Sequence, residues 1–396
     1  MSSRRLRVAI VADYPEEGWP SMDLVTEMLV THLQRGHPDE VEAVRVCPPF
    51  RQRFRSVPIP KATRRNVDRL LNRFLDYPKF LRDLDRRAPF DIYHIVDHSY
   101  AQLVHALPSG RAVVNCHDLD AFRCLIRPDL ELRPAWFKAL MRRTVRGLDR
   151  AAAVSCGSAT TEAAVLANRL ASADRVHMIY TGTHPEYLLP PRPSSEAEAD
   201  RLVGPIDPGG APILLHVGSN IPRKRIDVLL GIFAGVRRTI PGARLVKIGG
   251  EFTEIQREQT RELGIDDAIK VVPFVADRTI LAAIYRRAAL VLQPSDAEGF
   301  GLPLAEAMAC GTSLLVSDIP VLHEIAGDAA VYRGVGDLPA WIEAALTLIR
   351  EPVENPNSFA NRRDAGITRS LRYRWDAHVA RLIPLYRQVA DAAGSR

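Results

Sequence analysis

The sequence predicts an α/β protein with two domains, and three observations point to this fold class. The chain has 396 residues, which is more than one hydrophobic core usually holds. Short apolar runs such as residues 112–116 and 314–317 alternate with amphipathic helical segments, as in a parallel sheet covered by helices. The composition, 46% apolar and 25% charged, is that of a globular protein.

The division between the domains is predicted from a change in composition. Residues 191–210 are rich in Pro, Gly, Ser and acidic residues and show no apolar periodicity, which is typical of a linker. We therefore expect a first domain over residues 1–190 and a second over residues 211–370. Residues 371–396 contain a late amphipathic segment, which predicts a final helix.

The segment that carries the most chemical information is residues 294–311, PSDAEGFGLPLAEAMACG. It follows an apolar run over residues 288–292 that is typical of a buried strand. Two glycines then allow unusual backbone angles and close approach of a ligand, and Pro303 suits the first turn of a helix. The predicted strand, glycine loop and helix start would offer unpaired N–H groups to an anion.

Two glutamates flank this loop. Glu298 lies on the loop and Glu306 lies about one turn into the helix, so that they can contact different parts of one ligand. Separated by seven residues around the sequence GFGLP, they resemble the signature of family-4 retaining glycosyltransferases of the GT-B fold. The simpler interpretation is that both are solvated charges beside a tight turn.

The resemblance implies two Rossmann-like domains that face each other across a cleft, with a final helix that returns to the first domain. It implies transfer of a sugar from a nucleotide diphosphate to an acceptor hydroxyl, with retention of configuration, in glycolipid or polysaccharide synthesis. Glu298 would meet the hydroxyls of the donor sugar, and Glu306 would bind the ribose. The loop residues expected beside the donor are Gly299, Phe300, Gly301 and Leu302.

A basic loop stands at the start of a second predicted helix, over residues 227–237. Cations oppose the dipole at a helix N-terminus unless an anion is present. Arginine offers a fork for phosphate oxygens, and lysine a point charge. The resemblance implies that Arg223 and Lys224 bind the donor diphosphate and stabilise its growing charge without a metal ion. A solvent-facing basic turn is the alternative.

Four more positions are candidates for contacts with the donor or the acceptor. His117 follows a central strand, where open α/β sheets bind ligands, and its His-Asp pair resembles one that the family places between donor and acceptor. The resemblance puts Phe274 near the nucleotide base, although a core aromatic is the alternative. Gly249 follows another predicted strand and is counted with the donor-binding candidates. Gly18 is the one glycine in a first loop where relatives often carry a pair.

Residues 51–88 are strongly basic, with twelve Lys or Arg against four Asp, a net +8 where the whole chain has +6. An apolar stripe at helical spacing accompanies a row formed by Arg65, Arg69 and Arg73. One interpretation is a core-facing helix with a solvated basic face. The other is docking on an anionic membrane surface or recognition of a phosphorylated acceptor. Nucleic acid is disfavoured, because no aromatic interleaving or binding motif accompanies the charge.

Several classes of protein and ligand are disfavoured by missing patterns. Five dispersed cysteines suggest reduced thiols in the cytosol, and no segment is long enough to span a membrane. We expect a cytoplasmic protein that could attach to the inner face of the cytoplasmic membrane. No zinc-ligand spacing and no Asp-x-Asp motif in a metal-binding context occur, so we expect no metal and no cofactor besides the nucleotide-sugar substrate. No strand-linked G-x-G-x-x-G supports a dehydrogenase.

Two other functions stay open at this point. One is a different GT-B enzyme, either a nucleotide-sugar epimerase or a phosphorylase that holds pyridoxal phosphate on a lysine. The other is a non-catalytic binding subunit with the same fold, since fold alone does not fix function.

Overall fold

The computed structural model describes residues 4–58, 60–205 and 210–395. The chain forms two compact units. The first contains Met1–Thr181 together with Trp375–Arg396, and the second contains Gly182–Arg374. Each unit is built on one six-stranded sheet whose strand pairs are all parallel. The predicted α/β class with two Rossmann-like domains is therefore confirmed.

The first unit has the strand order β2-β1-β3-β4-β5-β6. Its strands are β1 Leu6–Val11, β2 Val41–Val46, β3 Ile92–Ile95, β4 Ala112–Cys116, β5 Ala153–Cys156 and β6 Val176–Met178. Its helices up to this point of the chain are α1 Pro20–Gly36, α2 Lys61–Leu71, α3 Tyr77–Arg87, α4 Arg123–Ile126, α5 Ala135–Arg150 and α6 Ala159–Ala167. A π-helical turn, Asn72–Asp76, joins α2 to α3. Nearly every residue of the central strands is buried, because a parallel sheet is covered on both faces.

The second unit has the strand order β12-β11-β10-β7-β8-β9. Its strands are β7 Ile213–Val217, β8 Arg244–Ile248, β9 Ile269–Val272, β10 Leu290–Gln293, β11 Leu314–Ser317 and β12 Ala330–Arg333. Its helices are α7 Pro193–Val203, α8 Ile226–Thr239, α9 Glu254–Glu262, α10 Arg278–Arg287, α11 Leu302–Ala309, α12 Pro320–Ala326, α13 Leu338–Glu354 and α14 Pro356–Ser370.

The last helix, α15 Trp375–Gly394, belongs to the first unit. Its apolar face, which includes Val379 and Leu382, packs in one core with residues of α1 such as Leu29. The hydroxyl of Tyr386 contacts the buried ring of His94 on β3. Within the described part of the chain, no helix combines the length and the apolar character needed to cross a membrane.

The segment predicted as a linker, residues 191–210, is largely helical in the structure, because it contains α7. The two units divide earlier, between Thr181 and Gly182. The buried face of α7 carries Ser195, Ala199 and Val203, and small residues at helical spacing escape a search for apolar periodicity. Residues 206–209 of the predicted linker lie outside the described residues.

Candidate functional site

The predicted strand, glycine loop and helix are present in the second unit. Strand β10 ends at Gln293, and α11 begins at Leu302 with Pro303 in its first turn. Gly301 precedes the helix with a φ of 90°, in the left-handed region that favours glycine. A Cβ atom at this position would lie 3.3 Å from the side chain of Leu322. The glycine is therefore required by the backbone of the turn itself.

Glu298 is a buried and fully engaged carboxylate. Its Oε1 atom accepts hydrogen bonds from Lys224 Nζ at 2.6 Å, from Gln293 Nε2 at 2.6 Å and from Ser295 Oγ at 2.8 Å. Its Oε2 atom lies 3.6 Å from Arg223 Nη1, and the side chain is 5% exposed. The simpler interpretation of Glu298 as a solvated charge beside a turn is therefore wrong.

The electrostatics of the cluster keep Glu298 ionised. Burial opposes the charged form, but the cations of Lys224 and Arg223 outweigh it and lower the pKa of Glu298 to about 2. At neutral pH the carboxylate can therefore only accept hydrogen bonds. It can accept them from the cations of the basic loop and from hydroxyl groups of a bound ligand.

The basic loop before α8 is compensated by carboxylates of the chain. Lys224 is buried against Glu298, which excludes a solvent-facing turn for this residue. Arg225 donates to Asp227 at 3.0 Å and to Asp296 at 3.0 Å. The cations of the basic loop therefore do not depend on an external anion alone, since the protein supplies counter-ions of its own. Arg223 Nη1 donates to the carbonyl oxygen of Ala297 at 3.1 Å, which ties the basic loop to the loop that carries Glu298.

Glu306 is also buried, one turn into α11, and is not a solvated charge. Its Oε2 atom accepts a hydrogen bond from the hydroxyl of Tyr285 at 2.7 Å. Burial raises the pKa of Glu306, which Tyr285 opposes. The two glutamates of the motif thus have opposite environments, since Glu298 faces cations and Glu306 faces a phenol. Their assignment to the sugar and the ribose stays a prediction.

The remaining donor-site candidates of the second unit occupy different environments. Phe300 is buried with its ring 5.3 Å from that of Tyr373, so it packs inside the unit. Phe274 follows β9 and is 54% exposed, so the alternative of a core aromatic is wrong. Gly249 has a φ of 108°, and a Cβ atom there would lie 2.5 Å from the carbonyl oxygen of Gly218. A side chain at position 249 would therefore clash with the main chain that follows β7, so this position requires glycine.

Two polar residues at the ends of apolar strands in the second unit were missed by the sequence analysis. Lys247 on β8 is fully buried, and its Nζ atom donates to the carbonyl oxygens of Gly249 and Gly250, both at 2.7 Å. Burial lowers the pKa of Lys247 to about 8. His216 on β7 is also fully buried, with Nδ1 2.9 Å from the carbonyl oxygen of Leu292, and burial lowers its pKa to about 4. The sequence signal that could have identified both residues is a basic side chain inside an otherwise apolar strand.

In the first unit, His117 lies at the carboxyl end of β4, as predicted. Its Nε2 atom is 2.7 Å from the carbonyl oxygen of Val96, and burial lowers the pKa of His117 although Asp97 opposes this. His98 adjoins it, with Nδ1 3.2 Å from Asp97 and Nε2 3.6 Å from Asp118. The structure thus brings His117 together with a cluster of two carboxylates and a second histidine, although none of its groups among the described residues is arranged to hold a metal ion.

The first loop of this unit is held by the arginine row of α2 and the adjoining turn. Gly18 has a φ of 74° after the turn Pro15–Glu17. Arg65 donates to the carbonyl oxygens of Glu16 and Glu17, at 3.0 and 3.2 Å. Arg69 and Arg73 then face the carboxylate of Glu17, at 3.5 and 3.6 Å. Arg69 and Arg73 are therefore turned toward a carboxylate of the protein, whereas Arg65 is exposed and bonds to the main chain of the loop. The membrane and phosphorylated-acceptor interpretations of the basic stretch stay predictions.

Comparisons with known proteins agree with this arrangement. Residues 205–366 match the family Glycosyl transferases group 1, and residues 24–187 match Glycosyltransferase Family 4. The D-inositol 3-phosphate glycosyltransferase of Xylanimonas cellulosilytica is 30% identical over 237 residues, which are 57% of this chain and 54% of that protein. The counterpart in Segniliparus rotundus is 31% identical over 203 residues, 50% of this chain and 44% of that protein. The chain thus matches about half the length of these curated relatives.

Two solved structures share the fold. Sucrose-phosphate synthase from Thermosynechococcus elongatus superposes with a TM-score of 0.74 at 19% identity, covering 98% of this chain and 100% of that chain. Anabaena HepE, determined in complex with UDP and glucose, has a TM-score of 0.66 at 16% identity, covering 99% and 100%. The fold is that of the GT-B class. Within that class, residues 205–366 are similar to the glycosyl transferases group 1.

We expect the free energy of unfolding to depend on Glu298 in a pH-dependent way. A carboxyl whose pKa is lowered from 4.5 to about 2 contributes about 3 kcal/mol above its unfolded pKa. That contribution is lost as the pH falls from about 4.5 through about 2. Glu298→Gln should therefore be less stable than the wild type by up to about 3 kcal/mol at pH 7, and by progressively less below pH 4.5.

Urea unfolding from pH 7 down to pH 3.5 measures the difference, with Glu262→Gln on the exposed surface of α9 as the matched control. A constant difference between wild type and Glu298→Gln over that range would contradict the ion-pair account of Glu298.

Proposed function

We propose that this protein is a retaining glycosyltransferase that moves a sugar from a nucleotide diphosphate to an acceptor hydroxyl. The observation that carries the proposal is the buried pair formed by Glu298, in the loop before α11, and Lys224, in the loop before α8. Both residues lie within the part of the chain that matches the family. Two comparisons support it. The curated relatives are named as glycosyltransferases, and the HepE structures hold UDP with glucose, or UDP-glucose.

In the proposed reaction, the bond between the anomeric carbon and the diphosphate oxygen breaks while negative charge grows on the diphosphate. Arg223, Lys224 and the start of α11 stabilise that charge, because preorganised cations and N–H groups need no rearrangement as it develops. No metal ion takes part in this step. Glu298 holds the ammonium of Lys224 in place and, being ionised, accepts a hydrogen bond from a hydroxyl of the donor sugar.

The acceptor oxygen then forms its bond to the anomeric carbon on the face that the diphosphate leaves, and its proton passes to a phosphate oxygen. Glu306 receives the ribose, with its carboxyl oriented by Tyr285. His117 and the neighbouring cluster of the first unit receive the acceptor. The acceptor is a sugar or a lipid-linked molecule, in glycolipid or polysaccharide synthesis.

We expect a screen of UDP-, GDP- and ADP-sugars to identify one donor that raises the melting temperature and supports transfer. The product should show the anomeric configuration of the donor by NMR, and transfer should persist with a chelator present. Inverted configuration or loss of activity with the chelator would contradict the mechanism. Donor conversion that needs no acceptor would indicate an epimerase instead.

We expect Lys224→Ala to weaken binding of the matching nucleoside diphosphate at least tenfold, since a charge-assisted contact to phosphate is worth about 1.5–3 kcal/mol. Calorimetric titration measures the affinity. Lys270→Ala is the matched control, because Lys270 is exposed on β9 of the same unit. Lys247 does not serve this purpose, since it supports two buried carbonyl oxygens. Equal affinities for the Lys224 and Lys270 variants would refute the assignment.

The proposal also includes attachment to a membrane, but through a surface other than the basic stretch of residues 51–88. We assign it to the Leu130–Trp136 surface, formed by Leu130, Leu132, Trp136 and the exposed arginines Arg142 and Arg143 of α5. Leu132 is 84% and Trp136 56% exposed, and Arg142 and Arg143 are exposed on the same helix as Trp136. That combination suits the boundary between anionic headgroups and acyl chains on the cytoplasmic side of a membrane.

We expect the protein to co-sediment with anionic vesicles at low salt, and less at high salt, because each basic residue at the surface contributes about 1 kcal/mol that ions screen. Leu132→Ser with Trp136→Ser should release it. Ile255→Ser is the matched control, since Ile255 is 82% exposed on α9. Wild-type protein that stays in the supernatant at low salt would exclude membrane attachment.

A further inference from the structure

The first loop of the first unit contains a carboxylate that is sealed from solvent beside two guanidinium groups. The side chain of Glu17 is 0% exposed, and neither of its oxygens accepts a hydrogen bond. Its Oε2 atom lies 3.5 Å from Arg69 Nη2 and 3.6 Å from Arg73 Nη1. The group is therefore held by charge rather than by hydrogen bonds, which is an unusual state for a buried carboxylate.

The guanidinium group of Arg73 is also held by contacts other than Glu17. Arg73 donates to the carbonyl oxygen and the hydroxyl of Ser99, at 2.8 and 2.7 Å, and lies over the ring of Tyr100 at 3.8 Å. Arg69 stands one turn earlier on α2. A pair of arginines four residues apart, with one of them anchored in this way, presents donors for the oxygens of an anion.

Two other carboxyls, Asp13 and Asp97, lie near Arg73 in environments that differ from that of Glu17. Burial raises the pKa of Asp13 well above its ordinary value, and the charge of Asp97 adds to this. Asp97 is engaged by Ser99, whose amide and hydroxyl both donate to it, and by His98. Glu17 is thus the carboxylate that faces both arginines.

Glu17 and its two arginines lie at the edge of the sheet where ligands bind in this class of fold. Glu17 follows β1, and Ser99, which anchors Arg73, follows β3. Both lie beyond the carboxyl ends of neighbouring parallel strands, where open α/β sheets bind their ligands. The loop is also held at its main chain, because Arg65 donates to two of its carbonyl oxygens.

We infer that Glu17 is a built-in counter-ion that fills an arginine anion site at the ligand edge of the first unit, so that this position takes no phosphate from a ligand. An acceptor therefore meets no free arginine pair at this position. The term acceptor rests on the proposed function, whereas the filled arginine site does not. Removing the carboxylate should convert the arginine pair into a site for a free anion.

The experiment measures binding of inorganic phosphate by calorimetry and thermal shift, in chloride and phosphate buffers of equal ionic strength. Glu17→Ala should bind phosphate at least about tenfold more tightly than the wild type does. Adding Arg69→Gln to Glu17→Ala should abolish the gain. Adding Lys224→Ala to Glu17→Ala should leave it unchanged, which separates this site from the proposed donor site and from any test of transferase activity.

Three results would overturn the inference. One is a Glu17→Ala variant that gains no phosphate binding. Another is a gain that survives Arg69→Gln. The third is phosphate binding by the wild-type protein that is lost in Arg69→Gln. In that case phosphate would displace Glu17 from the arginines, and Glu17 would not block the site. If Glu17→Ala is too unstable in chloride for titration, recovery of its melting temperature in phosphate supports the inference, and equal instability in both buffers overturns it.

Discussion

The donor-site candidates of the second unit depend on one buried ion pair, between Glu298 and Lys224. A buried pair is strongly destabilising to break, because the remaining partner is left as an uncompensated charge. This constraint links two loops that are 74 residues apart in sequence. The loop before α11 positions the carboxylate, and the loop before α8 positions the cation. Either charge would be strongly destabilising in this buried position if its partner were removed. The same pair fixes the orientation of the Lys224 side chain, which is what a phosphate site requires.

The elements around this pair could be predicted from sequence because their causes are local. The apolar run of β10, the glycine with positive φ at Gly301 and the proline in the first turn of α11 each act within a few residues. The engagement of Glu298 could not be predicted in the same way. Its partners Lys224 and Arg223 come from another loop, and the row of charges on α2 gives no sign of its orientation until Glu17 is placed against it.

The misassigned segments share a physical reason. Periodicity methods count large apolar residues as inward and charged residues as outward. Helix α7 buries Ser195 and Ala199, which carry little apolar signal, and Arg69 of α2 turns toward the buried carboxylate of Glu17. Trp136 shows the opposite departure from this rule, since a large aromatic residue of α5 is exposed. Burial of this kind is decided by partners distant in sequence and not by the local pattern.

The two units use the same device, a glutamate against two basic side chains beyond the carboxyl ends of a parallel sheet, with different geometry. In the second unit, Glu298 Oε1 accepts a hydrogen bond from Lys224 at 2.6 Å, while Oε2 is 3.6 Å from Arg223. In the first unit, Glu17 makes no hydrogen bond and lies at 3.5 and 3.6 Å from its arginines. In the first arrangement a hydrogen bond joins the carboxylate to the ammonium, and the guanidinium of Arg223 also donates to the carbonyl oxygen of Ala297. In the second arrangement Glu17 meets its arginines through charge alone, so we expect the identity of residue 17 to decide whether an anion can bind there.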